Sequence, residues 1–407
     1  MSKEWLPRQR SRNAANTSNP IRKIVDMIKK EPNPDKAMIP LSIGDPTVFG
    51  NLKTHSVIVE ALKKSVEEGK ANGYAHACGQ PDARAAIAKK FSPASHPISA
   101  EDVIITSGCS GALQISIDAI ANRGQNILLP APGFSLYQTI CDNLGIETRH
   151  YRCLPEREWQ IDLDHVESLI DGNTAAWLVN NPSNPCGSVL PKEHLQRILA
   201  VADKHRVPLI ADQIYANMVF SGHEYHSLAE LSENVPVLEC GGIAKQYLVP
   251  GWRVGWIIVH DRNGILADVK DGAMQLATVL VGSNTLVQST IPDILHTLPA
   301  EYYAELNTTL EAHATAVYKK LQGAAGLNPV KPSGAMYIMV GIDLSRLKDI
   351  QSDVDFTQKL LTEQSVFVLP GSVFKMDNFI RLVTSPPLDK LNEACDRIVE
   401  FCAAHSK

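Results

Sequence analysis

From about residue 102 onward the chain repeats one pattern. A short uninterrupted apolar run is followed by a turn of small or polar residues, and then by a stretch whose apolar residues recur three and four apart. The runs are Val103–Thr106, Ile127–Leu129, Ala176–Val179, Pro208–Ala211, Val237–Glu239 and Val254–Val259. Apolar runs without polar alternation belong to strands covered on both faces, the environment of a mainly parallel sheet. Parallel neighbours need crossover connections, and the helical patterns between several runs supply them. The spacing predicts an α/β domain: a mostly parallel central sheet flanked by helices. In such sheets ligands bind beyond the carboxyl ends of the strands, so residues just after the runs are the first candidates for function.

The flanking segments read differently. A helix is expected from Pro20, capped by Ser18 or Asn19, with Ile21, Ile24, Val25 and Ile28 on one face and Pro32 and Pro34 ending it. A second helix is expected after Thr54. Beyond residue 300 come a helical stretch over Glu301–Leu321, strands near Met336–Val340 and Phe379–Val383, and a last helix over Leu388–Ala403. These predict a smaller α+β domain built from 20–53 and 301–407, a large domain over 54–300, and an N-terminal arm over 1–19. With 407 residues, 44% of them hydrophobic, the chain can bury more than one core.

Composition excludes several classes of partner. A net charge of −5 gives no reason to expect nucleic acid, and no run of about 18 apolar residues suggests a membrane span. The eight cysteines are scattered and none are three apart, so no CxxC metal or redox motif exists. That scatter fits a reduced, cytoplasmic setting. Met1–Arg12 carries Lys3, Arg8, Arg10 and Arg12 without the apolar stretch of a secretory signal. It reads as a basic arm, and its Arg and Ser leave an organelle-targeting reading open.

Four features just after the apolar runs carry chemistry. Lys245 lies in Gly241–Trp256, a stretch poor in charge and rich in glycine and large apolar residues. A desolvated lysine loses its proton more readily, and its neutral amine attacks carbonyls; the plainer reading is a loop lysine that snorkels to solvent. Ser107-Gly108-Cys109-Ser110-Gly111 joins a strand to a helix. The amides and dipole of such a helix start cradle phosphate, with Ser107, Cys109 and Ser110 as side-chain donors; an ordinary capped helix start is the plainer reading. Asp212 ends the run before Tyr215 and needs a cap donor, a metal or a protonated ring nitrogen as its partner. Asn181-Pro182-Ser183-Asn184-Pro185 is a rigid polar loop after another run, and alone would mean only a turn.

Taken together, these features meet the needs of pyridoxal 5′-phosphate: a helix start for phosphate, an aspartate for the pyridinium, donors for the phenolic oxygen and a lysine for the carbonyl carbon. Here the chain resembles the fold-type I pyridoxal-phosphate-dependent aminotransferases over nearly its whole length. The resemblance runs through Asn19–Arg22, Ser42–Asn51, Asn72-Gly73-Tyr74, Pro132–Tyr137, Asn180–Ser188, the Lys245 stretch and Pro332–Tyr337. It implies that Lys245 binds the cofactor covalently and shuttles the substrate proton, and that Asp212 pairs with the pyridine nitrogen. Asn184 and Tyr215 would bond the ring hydroxyl oxygen, and Phe134 would stack on the ring. Ser107, Gly108, Cys109 and Arg253 would hold the phosphate, with Tyr74 reaching in from a second subunit of a homodimer. Arg381 would clamp the substrate α-carboxylate, with Asn184 beside it and Gly44 letting the backbone close over it.

The reaction so implied moves the amino group of an aromatic L-amino acid, tyrosine first, to 2-oxoglutarate or pyruvate. The rivals are a carbon–sulfur lyase and an aminotransferase of broader specificity on the same fold. One departure bears on specificity. Ile265–Thr290 contains no arginine, and Val279 stands where aspartate-specific relatives place one from the partner subunit. A site without that cation favours apolar or aromatic side chains. How a dicarboxylic acceptor is held is left open.

Overall fold

The computed structural model describes residues 8–28, 31–94 and 96–407. The start of the basic arm, with Lys3, lies outside the described residues. The rest of the arm holds a short helix, Arg12–Asn16, and leans on the helix Leu136–Leu144, with Asn143 Nδ2 donating to Thr17 Oγ1 at 2.7 Å.

The strands in chain order are β1 (Ile39–Pro40), β2 (Val103–Thr106), β3 (Asn126–Ala131), β4 (Glu147–Leu154), β5 (Gln160–Ile161), β6 (Thr174–Asn180), β7 (Leu209–Asp212), β8 (Val237–Gly242), β9 (Gly255–His260), β10 (Leu327–Pro329), β11 (Tyr337–Ile342), β12 (Val366–Phe367), β13 (Leu369–Pro370) and β14 (Phe379–Val383). Strands β2 to β9 form one eight-stranded sheet in the order β2-β9-β8-β7-β6-β3-β4-β5. The pairs β3·β4, β3·β6, β6·β7 and β7·β8 are parallel, whereas β9 runs antiparallel between β2 and β8. Strand β2 therefore runs with β8, and its carboxyl end opens on the same edge.

Side-chain alternation along each strand feeds both faces. Ile104, Ile127, Leu129, Ile210, Leu238 and Ile257 pack with Ala112, Leu113 and Ile117 of the helix Gly108–Ile120. On the opposite face Leu128, Trp177, Val179 and Leu209 pack with Leu195, Ile198 and Ala202 of the helix Lys192–His205. Each such fully buried aliphatic contributes about 1.5–3 kcal/mol.

A second, antiparallel sheet has the order β10-β11-β14-β13, and β12 pairs in parallel with β1. Its core joins the two ends of the chain: Ile39 and Leu41 pack with Ile338, Val340, Ile380 and Leu382, and with Phe356, Leu360 and Phe401. Among the described residues no helix is long and apolar enough to cross a membrane.

Several elements differ from expectation. The first predicted helix is short, Pro20–Val25, with Asn19 Oδ1 capping the Arg22 amide at 3.1 Å. Strand β4 was not foreseen, because its Glu-Thr-Arg-His-Tyr-Arg-Cys-Leu sequence is polar. It lies one strand from the sheet edge, and Tyr151 and Cys153 are the residues it fully buries. The helices Ala267–Ala277 and Ile291–Thr297 also went unforeseen.

Phe401 is fully buried and meets Phe356 edge-on, with ring centroids 5.1 Å apart. Phe401→Ala should cost about 3–5 kcal/mol and Ile398→Val about 0.5–1.5 kcal/mol, read as graded falls in the denaturation midpoint.

Candidate active site

The carboxyl ends of β2, β6, β7 and β8 border a cavity of about 890 Å3, closed on the far side by Ser42–Asp45, Tyr337 and Arg381. Asp212, the last residue of β7, is buried to 3% exposure. Burial pushes its carboxyl pKa up, while hydrogen bonds from Tyr137, Ile214 and Cys109 and the charge of Lys245 oppose that rise. Tyr137 Oη donates to Oδ2 at 2.7 Å; the Ile214 amide (3.2 Å) and the Cys109 thiol (3.7 Å) donate to Oδ1. Among the described residues no cation forms an ion pair with Asp212.

Lys245 follows β8 and is half-buried, and its Nζ donates to the Gly44 carbonyl. Gly44 has no room for a side chain, since a Cβ there would lie 2.5 Å from the Tyr337 hydroxyl. After β6, Asn180 fixes the polar loop. Its Oδ1 accepts from the Asn184 amide at 2.8 Å, and its Nδ2 donates to the Asp212 carbonyl at 3.0 Å. The Asn184–Pro185 bond within that loop is cis.

Arg381, in the middle of β14, is 2% exposed. Its Nη1 donates to Asn184 Oδ1 at 3.0 Å and its Nη2 to the Ser42 carbonyl, while Nε has no partner among the described residues. The guanidinium also lies over Tyr337 and Phe374, 4.6 and 4.9 Å from the ring centroids. Burial lowers its pKa, with Tyr337 and Tyr215 opposing. The Tyr215 and Tyr337 hydroxyls are 2.6 Å apart, and burial and this neighbour push the Tyr215 phenol well up.

At the cavity mouth Arg253 sits over the start of the helix Gly108–Ile120. It donates to Ser110 Oγ at 2.9 Å and to the Ser107 carbonyl at 3.4 Å. Gly108 has φ +72°, and a Cβ there would lie 2.5 Å from Arg253 Nη2, so the approach requires glycine. Ser107 caps this helix without a side-chain bond, so it leaves the amides of the first turn uncapped.

The structure thus gathers Gly44, Cys109, Phe134, Asn184, Asp212, Tyr215, Lys245, Arg253 and Arg381 around one cavity. Ser107 and Gly108 stand just behind Arg253. The Cys109 thiol faces Asp212. Tyr74 is 93% exposed and does not line its own chain's cavity. Val279 is 73% exposed. Two residues that support the site were missed, Tyr137 and Tyr337. Both end stretches already singled out, and a buried tyrosine hydroxyl needs a partner; which partner it finds is fixed by tertiary packing.

Residues 36–398 match the family model for aminotransferase class I and II. The chain belongs to that family of enzymes, whose members' dependence on pyridoxal 5′-phosphate it is expected to share. Within the family it is similar to tyrosine aminotransferases: 50% identical to that of Mus musculus over 390 residues, 96% of this chain and 86% of the relative. The Homo sapiens tyrosine aminotransferase is also 50% identical, over 96% of this chain and 87% of its own length. The crystal structure of the Leishmania infantum tyrosine aminotransferase superposes with a TM-score of 0.96 at 38% identity, covering 99% of this chain and all of that one.

The site fits the implied cofactor on its own chemistry. A buried carboxylate without a cation calls for a cationic partner, and an arginine over bare helix amides calls for an anion. Tyr137→Phe, which removes one donor from Asp212, should raise the Asp212 pKa further. The check is the protonated-carboxyl infrared band of the apoprotein, referenced to Asp212→Asn; an unchanged band would mean that the hydroxyl contributes nothing.

Proposed function

We propose that this protein transfers the amino group of an aromatic L-amino acid, tyrosine foremost, to a 2-oxo acid, using pyridoxal 5′-phosphate held in the cavity described above. The observation that carries the reading is the Asp212 carboxylate, buried and without a cation, in the same cavity as the Lys245 amine and the Arg381 guanidinium. When bound, the cofactor supplies a carbonyl for covalent attachment of amines and an electron-withdrawing ring that accepts the electron pair left by loss of the Cα proton.

The chain's own residues do the rest. Asp212 keeps a ring nitrogen protonated, and Tyr137 and Cys109 hold its carboxylate in place. Asn184 and Tyr215 would bond the ring oxygen, and Phe134 would cover the ring. Arg253 and the amides after Ser107 would hold the phosphate. Arg381 exchanges its Ser42 and Asn184 contacts for the two oxygens of the α-carboxylate, a fork that suits carboxylate geometry. Lys245 Nζ leaves the Gly44 carbonyl, accepts the Cα proton and returns it later in the cycle. Ile21, Val25, Met38, Ile43 and Leu369 give the cavity an apolar wall that suits an aromatic side chain. Tyr74 is exposed and lies off its own chain's cavity lining, which supports a homodimer in which it serves the phosphate of the partner's site.

The test is the visible spectrum of the holoenzyme before and after L-tyrosine, with no oxo acid present. Loss of the cofactor band, restored by 2-oxoglutarate or pyruvate, is the expected result. Bleaching with release of ammonia and a thiol, which no oxo acid reverses, would mean a lyase. Lys245→Ala should lower turnover by at least about 10²–10⁴-fold. Arg381→Ala should lower kcat/KM by about 10- to 100-fold through lost charge-assisted hydrogen bonds, leaving the band intact. Tyr74→Phe should weaken cofactor retention on dialysis, with sedimentation still reporting a dimer.

A further inference from the structure

Among the described residues the side-chain cations that line the cavity are Arg22, Lys245, Arg253 and Arg381. Three of them have partners. Lys245 is held by Gly44, Arg253 by Ser110, Ser107 and Pro250, and Arg381 by Asn184 and Ser42. Arg22 is the exception. Its backbone amide is capped by Asn19, but its guanidinium has no hydrogen bond or ion pair among the described residues.

The position of Arg22 is built, not incidental. The helix Pro20–Val25 that carries it is short, yet Ile21, Ile24 and Val25 pack on Leu369, Val373 and Phe374. Phe374 is the ring stacked on the Arg381 guanidinium, and Leu369 sits opposite Arg381 in the strand register. One apolar cluster therefore anchors the helix carrying the exposed Arg22 and includes a ring that touches Arg381. The same cavity wall carries apolar residues, Ile21, Val25, Pro40, Ile43 and Leu369. The acidic residues on the lining do not neutralise Arg22: Asp45 is bonded to Thr47 and Asp212 to Tyr137.

We propose that Arg22 binds the distal carboxylate of a five-carbon dicarboxylic 2-oxo acid, and of the amino acid formed from it, while Arg381 holds the α-carboxylate. This rests on the transamination reading above and supplies the cation that Ile265–Thr290 does not. Monocarboxylic substrates place no charge at this end of the cavity and lie against the apolar wall, so one site takes both classes. A guanidinium suits the task, because its planar donors match a carboxylate and it stays charged.

The experiment compares the holoenzyme with Arg22→Gln and Arg22→Lys on 2-oxoglutarate and on phenylpyruvate, a monocarboxylic acceptor. Glutarate binding is measured by calorimetry alongside. The expected result is a loss of about 10- to 100-fold in kcat/KM for 2-oxoglutarate in Arg22→Gln, the scale of one charge-assisted contact. Phenylpyruvate should stay within about twofold, glutarate binding should weaken in parallel, and Arg22→Lys should restore part of the loss. Equal losses on both acceptors, or none on either, would overturn the assignment while leaving the aminotransferase reading intact. A parent enzyme that turns over neither acceptor would overturn both.

Discussion

A carboxylate buried at the end of a central strand, with no ion-pair partner among the described residues, is the constraint around which this molecule is arranged. Desolvation alone would drive Asp212 toward its neutral form. The fold answers with donors from three directions: a phenol on the helix Leu136–Leu144, an amide just past β7, and a thiol at the start of the helix Gly108–Ile120. These donors hold the carboxylate in place but do not cancel its charge. The remaining demand is directed into the cavity, and the other polar residues of the site take their places relative to it.

The second core matters to that site as much as the first. Because Ile39 and Leu41 pack among residues of β11 and β14, the chain that follows them is drawn across the cavity. The Leu41 carbonyl accepts from the Val383 amide at 2.9 Å, which ties the segment to the strand carrying Arg381. Backbone carbonyls of that segment then accept hydrogen bonds from two cations of the cavity, Lys245 and Arg381. The site is accordingly a joint between two hydrophobic cores, with the strand ends on one side and this extended segment on the other.

Much of this was legible in the sequence, and the exceptions have physical causes. Apolar runs such as Val103–Thr106 announced buried strands because both their faces are covered. Asp212 was visible as a polar residue directly after such a run, Asn184 as part of the rigid polar loop that follows another, and Lys245 as a charge in a glycine-rich apolar stretch. Strand β4 was not visible, because a strand near the edge buries only some of its side chains. Tyr137 and Tyr337 could be seen as members of longer stretches, but not as partners of Asp212 and Tyr215, since those contacts join residues 75 and 122 positions apart. Arg22 lay in a stretch already noted, and its place on the cavity lining depends on how the short helix carrying it packs.

Ser42 and Gly44 sit on one strip of backbone, and each lends its carbonyl to a different cation. The contact to Arg381 and the contact to Lys245 therefore share one mechanical degree of freedom. The strip cannot shift away from one cation while staying fixed to the other without bending between those residues. The Arg381 guanidinium and the Lys245 amine are in this way strung on the same thread, their backbone partners two residues apart.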